Sequence, residues 1–237
     1  MRFLFILLLF PALSWGQNNT VFQLWNEVGV SYKIDKKQSL GLDFSFRSDA
    51  NGIQTFFPQF SYRFKMNKHL RPSLDYRFVS DRNREGNFEL RHRLNANLQF
   101  SYDIDQLELD FRLRYQYART RFVDDIEPEF GAALRYKTSF AYDIKNSDLQ
   151  PKVSMEFFTG PMEGQIGYHL NRIRWNFGLS YDLKGPHSLE LAYLYDLRIN
   201  SPGSLNRVIL NFSYGYSIRE VKSSKNQSPR KAPGRYL

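Results

Sequence analysis

The chain has 237 residues, 16% of them aromatic, with a mean hydropathy of −0.53 and a net charge of +9. That length allows one large domain, and the absence of cysteine excludes disulfides and thiolate metal sites. Much of the positive charge lies at the ends: residues 219–237 carry a net +5 and Arg2 one more, so the body is only about +3 and nucleic acid is not an expected partner.

Residues 1–16 combine Arg2, the apolar run Phe3 to Phe10 and the small-residue site Ser14-Trp15-Gly16. They read as a secretory signal peptide cleaved before Gln17. The apolar run is too short for the ~20 residues a spanning helix needs. No later stretch is long and apolar enough either, so any membrane crossing falls to strands.

From residue 21 onward, apolar and polar side chains alternate singly, the period of a strand with two unlike faces. Residues 21–34 put Phe22, Leu24, Val28, Val30 and Tyr32 on one face. Residues 40–47 separate Leu40, Leu42, Phe44 and Phe46 from Gly41, Asp43, Ser45 and Arg47. The same pattern predicts strands over 53–64, 70–79, 88–102, 107–117, 130–142, 149–157, 166–183, 189–198 and 207–218. The last segment, 219–237, reads as a disordered basic extension.

A motif recurs through these strands: a small residue, tyrosine, any residue, an aliphatic or Phe, then a charge. Its tyrosines are Tyr32, Tyr62, Tyr102, Tyr142, Tyr181 and Tyr216, spaced 30, 40, 40, 39 and 35 residues apart. A period near 40 that ends in a polar turn is a repeated up-and-down hairpin. Tyrosine at the same point of every repeat suits a membrane interface, with the ring in the acyl region and the hydroxyl in water.

Short turns are expected after each motif, at 35–39, 65–69, 103–106, 143–148 and 184–188. Longer segments are expected at the other end, at 48–52, 79–87, 118–128, 158–165 and 199–206. Outer-membrane barrels keep short turns on the periplasmic side, which places the tyrosines there. The strands number eleven, whereas antiparallel closure demands an even count. Either 21–34 lies outside the wall or one strand is merged or missed, so the expected fold is an all-β, antiparallel, up-and-down transmembrane β-barrel of about 10–12 strands, over 17–218.

The tyrosine turns, Trp25-Asn26-Glu27 and Glu89-Leu90-Arg91-His92-Arg93 resemble a family of presumed outer-membrane barrels, domain of unknown function 2490, over about 21–218. The resemblance implies architecture and location in a Gram-negative outer membrane. It brings no activity and no catalytic residues.

The polar face is dense in charge. A candidate lumen cluster is Asp75, Arg77, Glu89, Arg91, Arg93, Glu108, Asp110, Arg112 and Arg114, with Asp43, Arg47, Arg63, Arg71, Glu129, Arg135, Lys152, Glu156, Arg172, Arg174, Glu190, Asp196, Arg198 and Arg207 on the same class. Buried charges must be paired, so they form either a salt-bridged plug or a narrow, arginine-lined conduit or pocket for anionic solutes. Opposite charges between the fourth and fifth strands select the register in which Arg77 faces Glu89 and Asp75 faces Arg91.

Signals for catalysis are weak. Of the histidines, His69 and His187 fall at expected turns and His169 follows a long segment; His92 lies well inside a strand, on the apolar class, without an outward serine or threonine beside it. Asp124, Asp125, Glu127 and Glu129 form an acidic loop without metal-ligand spacing. No cofactor, metal site or catalytic residue is expected. The expected partners are outer-membrane lipids, lipopolysaccharide and the barrel-assembly machinery. Two other readings remain open: an outer-membrane lipid hydrolase or acyltransferase, and a soluble periplasmic lipocalin-like carrier with the strand faces reversed.

Overall fold

The computed structural model describes residues 20–83, 85–120, 131–162, 165–183, 185–199 and 205–218. The expected signal peptide, acidic loop and basic tail lie outside the described residues.

Alternation is realised as eleven strands: β1 (Thr20–Lys33), β2 (Gln38–Asp49), β3 (Gly52–Phe64), β4 (Leu70–Arg82), β5 (Phe88–Ile104), β6 (Leu107–Thr120), β7 (Ala132–Tyr142), β8 (Leu149–Met162), β9 (Gln165–Asp182), β10 (His187–Arg198) and β11 (Asn206–Ser217). Each pairs antiparallel with its sequence neighbour, and β1 closes the barrel by pairing parallel with β11. The parallel seam resolves the odd count. Both end strands run toward the tyrosine turns and pair from Thr20↔Asn206 to Ser31↔Ser217, so 21–34 is in the wall and the eleven strands of the described residues close the barrel by themselves. Slanted parallel bonds satisfy the backbone of both strands, which is what closure requires. Because the native chain lacks cysteine, the seam has a clean test. Leu24→Cys with Leu210→Cys should cross-link under mild oxidation, since these residues are register partners on the outward face. Leu24→Cys with Val30→Cys, six positions apart on one strand, should not.

The two faces differ sharply. Outward side chains are apolar and exposed, among them Phe22, Phe60, Leu74, Leu94, Phe111 and Phe177. The buried side chains are mostly polar, including Arg112, Arg114, Arg135, Glu156 and Asp196. That is the reverse of a soluble carrier, which needs an apolar interior and a polar exterior.

The expected difference in loop length holds only in part. Residues 50 and 51 alone join β2 to β3, because Gly52 takes a left-handed φ of 95° and turns the chain tightly. Residues 163 and 164 alone join β8 to β9, since β8 continues to Met162 through two register shifts. The segments 121–131 and 199–205 remain long. At the tyrosine end, Asp105 adopts φ 51° in the turn between β5 and β6, a position tolerated by Asp. Asp35 holds the first turn by accepting the amides of Lys37 (2.6 Å) and Gln38 (2.7 Å). Those backbone donors keep its carboxyl below the ordinary aspartate value of 3.8, so this hold is present at neutral pH and is lost as pH falls through the lowered value.

The register of β4 and β5 corrects the sequence expectation. Phe78 pairs with His92, Arg77 with Arg93, and Asp81 with Glu89, so Arg77 does not face Glu89 and Asp75 faces Asn95. The strands extend past residue 79, and the hairpin turns within 83–87 instead of 79–87. Direct cross-strand attraction is not what sets the pairing. Arg91 reaches diagonally to Asp81 at 2.6 Å, and Asp75 is met by Arg114 from β6, beyond β5. In a small barrel the lumen brings non-adjacent strands within side-chain reach, so like charges can face one another on neighbouring strands. Glu89→Arg should therefore fail to rescue Arg77→Glu, as read by recovery of the heat-modifiable folded band.

Candidate functional site: an arginine-lined cup above an ion-pair layer

The inward residues sort by height. Nearest the tyrosine turns the lumen holds polar side chains of both charges, including Asp110 and Lys152. Asp110 accepts Ser101 Oγ (2.5 Å) and Gln99 Nε2 (3.0 Å). Glu108, half-buried, lies opposite Asp103 at the start of β6.

The middle is an ion-pair layer. Glu156 accepts Arg112 Nη2 at 2.7 Å and both Nε and Nη2 of Arg135 at 3.0 Å. Asp196 accepts Arg174 Nε (2.5 Å) and Nη2 (2.7 Å), with Arg172 Nη1 at 3.3 Å. Asp75 accepts Arg114 Nη2 (3.0 Å) and Asn97 Nδ2 (2.9 Å), while Arg114 Nε donates to Asn97. Bidentate forks of this kind are the geometry in which buried guanidinium and carboxylate groups offset their desolvation. The free space among Gln59, Asp75, Asn97, Arg112 and their neighbours is only about 10 Å³.

Above this layer, at the end away from the tyrosine turns, the lumen widens into a cup of about 450 Å³. Ten arginines line it, from Arg47 on β2 to Arg207 on β11, against Asp49 and Asp81. With Glu156 and Asp196 beneath, that is ten guanidinium groups to four carboxylates, a net of +6 among these residues. Aromatic rings back several of its arginines. Arg47 lies 3.8 Å over Trp25 and 4.9 Å over Phe57, Arg77 is 4.8 Å over Phe57, and Arg135 is 4.2 Å over Phe158. Cation–π contact stabilises each charge without neutralising it. Arg77 also donates to Gln59.

The candidate cluster is thus divided among levels. Asp75, Arg112 and Arg114 belong to the ion-pair layer, Glu108 and Asp110 lie below it, and Arg77, Arg91 and Arg93 line the cup. Glu89 accepts Asn83 Nδ2 at 2.8 Å at the rim. The inward rings of Phe57 and Phe158 are not among the sequence expectations. Their signal is broken alternation: Phe56-Phe57 and Phe157-Phe158 are doublets, so one ring of each must point inward.

The six tyrosines all face outward, between 37% and 57% exposed, beside the turns that end their strands. Tyr32 and Tyr62 are both register partners of Leu40, and Tyr181 pairs with Leu149 and Leu189. Tyr62 donates to Gln38 at the start of β2 (2.8 Å) and Tyr142 to the turn residue Gln106 (2.9 Å), so these hydroxyls reach the polar end. His92 is also outward, 2.7 Å from Tyr76 Oη and edge-on to Phe78.

Fold and site together define a class: a closed β-barrel, apolar outside, ion-paired within, and open at one mouth into a basic cup. The chain belongs to the family described as Protein of unknown function (DUF2490), whose model matches residues 22–218. No curated protein matches it. Among solved structures it is similar to OccK5 (OpdH) of Pseudomonas aeruginosa, at 13% identity and a TM-score of 0.36, over 72% of this chain. The chain spans about half of that protein, 52% of its length.

Proposed function

We propose that the protein is an integral barrel of a Gram-negative outer membrane, without catalytic activity, whose lumen is plugged and whose open mouth attracts anions. The observation that carries this reading is the layer built on Glu156, Asp196 and Asp75, three carboxylates buried inside the barrel and each held by arginine. The apolar outer face and the level of outward tyrosines support membrane insertion, with the tyrosine end periplasmic and the cup toward the exterior. The partners are then outer-membrane lipids, lipopolysaccharide and the barrel-assembly machinery.

Fractionation tests the location. The protein should sediment with outer membranes and migrate faster unheated than boiled. Recovery in the soluble periplasmic fraction would overturn the assignment. A lipid-modifying activity is disfavoured because the hydrogen-bond partner of His92 among the described residues is a phenol, with no serine or threonine hydroxyl joined to it. Lipid hydrolysis by the purified protein that disappears in His92→Ala would reverse that judgement.

A further inference from the structure

We infer that the cup is a binding site for a compact, multiply phosphorylated solute, held at the mouth of the barrel. This rests on the plugged-barrel reading, which gives the cup a floor. Two of its arginines carry the argument. Arg47 has no carboxylate within ion-pair distance among the described residues; its contacts are the faces of Trp25 and Phe57. Arg77 is likewise without an ion-pair partner there, lies over Phe57, and is the register partner of Arg93. A guanidinium stacked on a ring commits its face and leaves its N–H edge for an acceptor.

The cup therefore gathers like charges in a recess with low-dielectric walls, where mutual repulsion is largest and an anion from solution relieves it. The choice between oxyanions follows from donor density. A carboxylate offers two oxygens in one plane and suits a single fork. A phosphate offers three or more in a tetrahedron and accepts from several forks at once. Arg47 and Arg77, facing one recess of about 450 Å³ whose lining is net positive, match linked phosphates better than separate carboxylates. The recess lies inside the barrel wall, so its occupant is a soluble molecule and not the headgroup of a lipid outside it.

The test is calorimetric titration of the full-length protein in detergent with inorganic tripolyphosphate. Saturable binding near one to one is expected, weakening steeply with added salt and raising the temperature at which the heat-modifiable band is lost. Arg47→Gln and Arg77→Gln should each weaken binding about tenfold to a hundredfold while keeping the folded band. Should either fail to fold, Arg47→Lys keeps the charge without the flat fork and should still bind several-fold more weakly.

No binding of tripolyphosphate, unchanged affinity in the variants, or citrate binding as tightly would each overturn the inference. So would binding confined to vesicles containing a diphosphorylated glycolipid. A protein that neither binds tripolyphosphate nor conducts ions loses only the ligand; one that conducts steadily loses the plugged-barrel reading as well.

Discussion

Glu156→Ala should cost about 3–5 kcal/mol, the penalty of leaving buried charges without their counter-ion. The carboxylate is 1% exposed and holds two arginines through three hydrogen bonds, with Lys137 as its direct register partner. Its removal takes the shared counter-ion from three buried cations. The urea midpoint of the folded band should fall accordingly. Replacing Arg112, Arg135, Lys137 and Glu156 together with leucine or methionine should recover much of that loss, because an apolar cluster of similar volume carries no desolvation cost. A single variant as stable as the parent would show that the layer is solvated and does not close the lumen.

Trp25→Ala is the second substitution with a large expected effect, about 3–5 kcal/mol for a buried indole. Trp25 is 2% exposed and packs with Ala192, Leu194 and Ile209, the one apolar cluster of buried residues among those described, against the parallel seam. Its Nε1 donates to Gln23 at 3.0 Å, and Arg47 and Arg174 lie over its ring. Removing it leaves a cavity and takes the ring from beneath two charges. Trp25→Phe keeps a ring there and should cost much less, as read by the same urea midpoints.

Much of the architecture is legible in the sequence because period-two alternation is a local signal. It predicts eleven strand segments, and the structure contains those eleven, with bounds moved by a few residues. What was not legible is non-local. The parallel seam depends on which strands meet after ten others have formed, and no residue in 20–33 or 206–217 encodes that meeting by itself. The β4–β5 register is hidden for the same reason: matching charges across one hairpin favours Arg77 opposite Glu89, whereas Asp75 finds Arg114 two strands away. The arginines could be placed inside from parity alone. Their division into a paired layer and an open cup depends on height along the lumen, which the pairing register sets.

Planar-bilayer recording of the purified, full-length protein is the most direct test of the plugged barrel. With the middle of the lumen filled by the pairs on Glu156, Asp196 and Asp75, the protein should insert without opening a steady conductance at moderate voltage. Stable, porin-sized steps in the parent protein would mean that the ion-pair layer does not close the lumen and would contradict the account.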